Sequence, residues 1–368
     1  MILTGVWQGT SPGKLIMMKR IVSMRRIELT GIREMTVFER EVPELKEPGD
    51  VLLKILSVGV CGSDIHYYTT GRIGSQVVAY PYAVGHECSA QVEAVGENVE
   101  GLQPGDVVAV DPAVSCGTCD QCRAGRSHTC RNLVFMGCPG QVPGCLSDYY
   151  VMPARSCYRV PQGMEPDVAA LVEPLSIGIY ALKLSGVREG ERIAILGLGP
   201  IGLSVLAAAR QLGIRDILVT EKRPYRLSAA KRMASVQGYL VDHNGNGIAP
   251  EAFGQYDAVF ECCGQQDALD RGCDLLRPGG KLMVVGIPQV DRISFSPDIL
   301  RRHELCVQHV RRQNECVNPA IELVQQASDI AEIMITHRFD FSQTREAFDL
   351  VADYRDGVIK AMIHVNQR

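Results

Sequence analysis

Short apolar runs broken by Gly, Pro and Asp occupy the chain from Met24 to about Ala113. Residues 51–58 and 89–95 read as strands, and turns are marked at Pro48, Gly49 and Asp50 and at Pro104, Gly105 and Asp106. This pattern predicts a β-rich region whose chemistry sits on its connections. From about Glu191 to Val285 the pattern changes to strands alternating with helices. Residues 192–196 form one apolar strand, a helix is expected toward Leu212, and a second strand covers 216–220. Further strands are expected at 258–260 and 281–285, the latter entered by a turn at 278–280. After 306–310 come helices near 319–326 and 343–351, and a closing strand at 361–365. Such an order predicts an α/β chain in which a doubly wound parallel-sheet domain, 177–311, interrupts a β-rich domain made of 24–176 and 312–368. Residues 1–23 read as an N-terminal extension, with Met17, Met18 and Met24 as alternative starts.

The junction between the first strand of the inserted domain and its helix carries Gly197, Gly199 and Gly202. A GxGxxG run alone is weak evidence. Here it lies between strand and helix, and the next strand ends in Glu221, 19 positions after Gly202. Glycines in this place let backbone approach a pyrophosphate at a helix N-terminus, and the acid takes ribose hydroxyls. Glu221 also repels a 2′-phosphate, so NAD is expected over NADP, with Lys222, Arg223 and Arg226 as basic neighbours pulling the other way.

Length and composition narrow the class. A chain of 368 residues, 46% hydrophobic and 22% charged, suits two globular domains. The net charge of −4 and the absence of long basic runs argue against a nucleic-acid surface. The first 24 residues hold no apolar run of signal-peptide length, and no stretch of about 20 apolar residues for crossing a bilayer is evident. A cytoplasmic protein is expected, and its 14 cysteines then read as metal ligands before disulfides.

Two places offer metal chemistry. Cys61, His86 and Glu87 combine a thiolate, an imidazole and a carboxylate, a mixture that suits zinc with a coordination position left open for catalysis. Gly59 and Gly62 flank the cysteine, and Asp64 is placed to take the second ring N–H of His86. Cys116, Cys119, Cys122 and Cys130 form a C-x2-C-x2-C-x7-C run able to close a tetrahedral shell around a structural zinc. Reduced, metal-free thiols are the alternative, and disulfides come third. Glu173, inside an apolar run and followed by the helix breaker Pro174, needs a partner if buried.

The stretches 61–68 (CGSDIHYY), 71–74 (GRIG) and 85–87 (GHE) resemble the zinc-dependent medium-chain dehydrogenases, and within them the sorbitol (L-iditol, polyol) dehydrogenases. The likeness runs from about Met24 to the C-terminus. It implies a GroES-like fold for the β-rich domain, a Rossmann fold for the insert, and a homodimer or homotetramer. It implies hydride transfer from a secondary alcohol of a polyol, C2 to ketose, to NAD. A sugar-acid (aldonate) or L-threonine dehydrogenase is the alternative, and a non-enzymatic NAD(H)-binding protein a more distant one. By the same resemblance Glu173 points at the catalytic zinc, directly or through water. Ser63 carries the proton outward, with Glu173 or a bound water as alternative relays. Tyr67 and Arg311 touch substrate, though Tyr67 also reads as core packing. Ile201, Arg226, Val285, Gly286 and Ile287 line the cofactor. Arg312 stands where the polyol dehydrogenases usually carry Tyr. Its guanidinium suits a carboxylate or phosphate, unless it faces solvent or pairs with a nearby acid.

Overall fold

The structure, a computed structural model, describes residues 23–366, so the expected extension lies, except for Ser23, outside the described residues. Two sheets organise the chain. The first orders its strands Cys157–Arg159, Val107–Val110, Glu87–Val95, Asp50–Gly59, Lys360–His364 and Ile335–Asp340, with Tyr149–Pro153 also paired to Asp50–Gly59. Asp50–Gly59 is buried along almost its whole length, which is why it reads as an apolar run and not as a clean alternation. It divides one edge between two partners. Residues 50–54 pair with Tyr149–Pro153, and residues 57–59 pair with the C-terminal strand Lys360–His364. Its other edge pairs with Glu87–Val95, so Gly59 lies between Glu87 and Met362.

The second sheet is parallel throughout, ordered Gln237–Leu240, Ile217–Glu221, Ile193–Leu196, Tyr256–Glu261, Leu276–Val284 and Cys306–His309. Numbered along the chain this is 3-2-1-4-5-6, the doubly wound order whose ligand crevice opens where strands 1 and 4 diverge. Gly197, at the end of strand 1, stands at that switch point. The expected turn at 278–280 falls inside strand Leu276–Val284. The ladder jumps there from the Tyr256–Leu276 pair to the Ala258–Lys281 pair, so the glycines bulge out of a continuing strand.

One helix joins the two sheets. Pro166–Ser185 packs on strands Asp50–Gly59, Glu87–Val95 and Val107–Val110, and also on helix Pro200–Gln211 of the insert. At the crossing with that helix a Cβ on Gly178 would strike the Ser204 backbone, so the small residue sets the approach. This corrects two expectations. The helix runs through Pro174, and the 176/177 division falls inside a helix shared by both parts. A proline costs a helix interior about 3 kcal/mol, but burial of Ala169, Ala170, Leu171, Val172 and Leu175 outweighs it. By length and composition this helix could also cross a membrane, contrary to the expectation that no such stretch exists; here it is core.

The β-rich region also contains a helix that its sequence concealed. Gly62–Thr70 starts with extended Cys61 as N-cap and ends at left-handed Gly71, whose N–H donates to the Tyr67 carbonyl. Gly62, Ile65, Thr69 and Thr70 are weak helix formers. Burial of Tyr67 and Tyr68 supplies what propensity does not. Helix Asp329–Met334 and strand Ile335–Asp340 were likewise unmarked in the sequence pattern.

Candidate metal and cofactor site

Cys61 caps the Gly62–Thr70 helix, and His86 and Glu87 stand at the start of strand Glu87–Val95, beside the end of Asp50–Gly59. The fold thereby brings one ligand atom from each of Cys61, His86 and Glu87 within 4.8 Å of one another. The surroundings fit a metal ion. His86 turns Nδ1 toward Asp64 Oδ1 at 3.4 Å, which leaves Nε2 for the ion. Asp64 is fully buried; its Oδ1 also accepts the Gly85 N–H at 3.2 Å, and its Oδ2 has no partner among the described residues. Burial opposes charge on His86, but Asp64 and Cys61 outweigh it and raise the imidazole well above its ordinary value. Ser63 Oγ donates to Cys61 Sγ at 3.3 Å.

Sequence reasoning missed the residue behind Glu87. Lys360 Nζ donates to Glu87 Oε2 at 2.5 Å and to the Val60 carbonyl at 3.1 Å, and both side chains are almost wholly buried. Two charges removed from water at this depth need each other. A Cβ on Gly59 would collide with the Glu87 carboxylate, which gives that glycine its purpose; nothing crowds Gly62. A Lys bounded by apolar residues at 358–363 was the available signal, because such a Lys in a core strand needs a counter-charge.

Glu173 lies outside the three-ligand cluster but close enough to feel it. Burial first, then Glu87 and Asp111, push its carboxyl up to about 7 against the opposing pull of His86 and Lys360. Tyr67 is buried and donates to Gln76 Oε1 at 2.9 Å, so it is both packed and polar-engaged. Arg311 is exposed and makes no hydrogen bond or ion pair with a described residue, whereas Arg312 turns inward. Its Cζ sits 3.5 Å from the centroid of Phe135, and the same ring lies 5.2 Å from the His86 ring. Burial lowers the Arg312 guanidinium to about 10. The expectation that it faces solvent is therefore not met.

At the switch point of the parallel sheet, Gly197 adopts φ 90°, and a Cβ on Gly202 would meet the Gly197 carbonyl. Gly199 is the N-cap of helix Pro200–Gln211, leaving its first N–H groups for an anion, with Ile201 half-buried in the first turn. Glu221 is buried. Its Oε2 accepts the Leu198 N–H at 2.8 Å, and its Oε1 accepts the N–H groups of Lys222 and Arg223 at 2.8 and 3.1 Å. Lys222 pairs with Asp267 at 3.1 Å and Arg223 stacks on Tyr354. Arg226 Nη1 would lie 3.6 Å from a Cβ on Gly199, and its Nε is buried without a described partner. Val285 and Gly286 both donate N–H to the Glu261 carbonyl, and Ile287 beyond them is exposed.

The cysteine lobe is built differently. Neighbouring sulfurs stand 3.6 Å (Cys119–Cys122), 3.8 Å (Cys119–Cys130) and 3.4 Å (Cys116–Cys130) apart. A tetrahedron with Zn–S bonds of about 2.3 Å has edges of about 3.8 Å, whereas a disulfide needs about 2.0 Å. All described cysteines are free. N–H groups of Cys116 and Asn132 point at Cys130 Sγ, and backbone and hydroxyl donors of Thr118 draw Cys116 down to about 5. These donors suit thiolates at Cys116 and Cys130, while burial and the neighbouring Cys119 and Cys130 push the Cys122 thiol up to about 11, so the four ionise together only around a cation.

Comparison with known proteins agrees with this geometry. Residues 47–162 match the alcohol dehydrogenase GroES-like domain family and residues 200–326 the zinc-binding dehydrogenase family. The chain is 32% identical to sorbitol dehydrogenase of Bacillus subtilis over 94% of its own length and 98% of the relative's. It is also 32% identical to L-idonate 5-dehydrogenase of Vitis vinifera, covering 92% and 93% of the two chains. A solved structure of a protein assigned as a zinc-binding dehydrogenase, from Sinorhizobium meliloti and bound to NADP, superposes with a TM-score of 0.81. Its identity is 27%, over 93% of this chain and 99% of that one.

Proposed function

The chain belongs to the zinc-dependent medium-chain dehydrogenases, and from that premise we propose that it oxidises a secondary hydroxyl of a polyol or sugar acid, with NAD as acceptor. The observation that carries this reading is the Cys61, His86 and Glu87 cluster, set at the ends of strands Asp50–Gly59 and Glu87–Val95, on which the shared helix Pro166–Ser185 packs while its other side meets helix Pro200–Gln211 after the glycine loop. Zinc there would supply Lewis acidity toward a substrate hydroxyl and the nicotinamide a hydride acceptor.

The protein's own groups do the rest. Asp64 fixes the His86 tautomer, Lys360 neutralises Glu87, and Ser63 Oγ beside Cys61 is placed to pass the hydroxyl proton outward. Glu173, beside the metal ligands, is the alternative acceptor for that proton. Tyr67 and Gln76 form a polar edge able to hydrogen-bond substrate hydroxyls. Preference for NAD is supported by Glu221, fixed beside the glycine loop, while Lys222 and Arg223 are drawn to Asp267 and Tyr354. We further propose a cytoplasmic homodimer or homotetramer. Free thiols throughout support the compartment, and the open edge strand Cys306–His309 supports assembly. The test is NADH production by purified, zinc-loaded protein against sorbitol, xylitol, L-iditol, aldonates and L-threonine, with molar mass measured by light scattering. No turnover on any secondary alcohol would overturn the reading.

A further inference from the structure

We infer that Arg312 is an anchor for an anionic terminus, so the site favours a polyhydroxylated chain ending in a carboxylate or phosphate over a neutral polyol. This rests on the functional reading above and narrows its substrate. Arg312 donates no hydrogen bond to any described residue and lies in no described ion pair, yet its Nη1 is buried. A buried guanidinium N–H group without an acceptor is costly, and proteins normally supply one. Neither nearby acid pairs with it; Glu173 and Asp111 act on it only through space. Asp111 accepts from Gln313 Nε2 at 2.7 Å and from the Ala113 N–H at 3.0 Å, and Glu173 stands beside the metal ligands.

The arginine is also held in place. Its backbone adopts φ 54°, a left-handed conformation uncommon for a residue with a side chain. The next residue pins the turn, because Gln313 reaches Asp111 with one end and accepts the Cys316 N–H at 2.9 Å with the other. Beyond the turn, the guanidinium carbon sits 3.5 Å over the centre of Phe135, the ring that also lies beside His86. Arg312 is therefore one aromatic ring removed from a metal ligand, and Tyr67 feels its charge. A sugar acid with a secondary hydroxyl at the metal extends its carboxylate several bonds away, toward such a fork. Ordering one rigid side chain in advance leaves most of the charged hydrogen bond available for affinity.

The experiment compares wild type with Arg312→Met, which keeps packing on Phe135, and Arg312→Lys, which keeps charge but loses the fork. Calorimetric Kd in the zinc- and NADH-loaded protein and kcat/KM with NAD are measured for sorbitol, D-gluconate, L-idonate and sorbitol 6-phosphate. The expected result is tighter binding of the acids than of sorbitol in wild type. Arg312→Met should lose roughly ten- to hundredfold on the acids, as for a charged hydrogen bond, and stay within about twofold on sorbitol. Arg312→Lys should recover part of the loss. The carboxylate and phosphate arms identify which anion is read. Equal losses on sorbitol and on the acids, or no gain from an anionic terminus in wild type, would overturn the inference while leaving the dehydrogenase reading intact. Failure of wild type to bind or oxidise any of these compounds would sink both.

Discussion

The two metal-ligand clusters of this chain are built on opposite principles. The four cysteines of the lobe lie within 15 consecutive residues, 116–130, around one short helix, Asp120–Arg123, and three of them are only half-buried. Their sulfurs are arranged by local backbone donors, and little of the protein's core stands behind them. The Cys61, His86 and Glu87 site takes its ligands from a helix N-cap and a strand start. It is backed by a buried Asp64, a buried Lys360 from the far end of the chain, and a glycine that makes room for Glu87. A local shell that closes on itself can hold an ion but leaves no place for substrate. An open shell needs its ligands held by the global fold, because the fourth side is left to chemistry.

The sharpest break in that comparison is expected at the open site. Cys61→Ser should reduce NADH production to background while circular dichroism and gel filtration remain those of a folded protein. Residual turnover near wild type would show that the metal is elsewhere. Next comes the charge pair behind it. In zinc-free protein Lys360→Met leaves Glu87 buried without a cation and should cost about 3–5 kcal/mol, read as a lower denaturation midpoint. A double change of Lys360→Met with Glu87→Gln should return part of it. An unchanged midpoint in the single variant would mean the pair contributes nothing. Cys119→Ser, by contrast, should lower thermal stability or weaken assembly and spare most of the kcat of the protein that remains.

A smaller effect concerns cofactor choice. Glu221→Ala should move the NAD to NADP ratio of kcat/KM toward NADP, since the buried carboxylate beside Leu198 is removed while Arg223 and Arg226 remain. Equal use of both cofactors by wild type would contradict the role given to Glu221. The smallest is a pH effect in zinc-free protein. Burial raises the Glu173 carboxyl to about 7 from its ordinary value near 4.5. A raised acid favours the folded state while protonated, so its contribution is present at low pH and is lost as pH rises from about 4.5 through 7. Glu173→Gln should flatten that decline in urea midpoints. An unaltered slope would place the titration on another group.

The sequence announced the local site and the fold class more readily than the open site's supports. Cys116, Cys119, Cys122 and Cys130 declare themselves by spacing, and the run from Gly197 to Glu221 does so by its place between strands. Cys61, His86 and Glu87 were legible by residue type and by motif, but their meeting depends on strand Asp50–Gly59 pairing with Glu87–Val95 so that Gly59 faces Glu87. The apolar run around Lys360 announced only that it needs a counter-charge; the partner was hidden, because 273 positions separate it from Glu87 and the pairing of the C-terminal strand brings them together. The helix through Pro174 was misread because a proline's local cost is plain in sequence and the packing that overrides it is not. The resemblance set Arg311 against substrate and left the burial of Arg312 open. Which one turns inward is decided by the left-handed backbone at 312 and by the face of Phe135.

The claim that one chain holds two zinc ions for two purposes is tested most directly by counting them. Elemental analysis of gently purified wild type, Cys61→Ser and Cys119→Ser should give two, one and one zinc per chain, with turnover per intact protein lost only in Cys61→Ser. A single zinc in wild type, or the loss of both from either variant, would contradict the account.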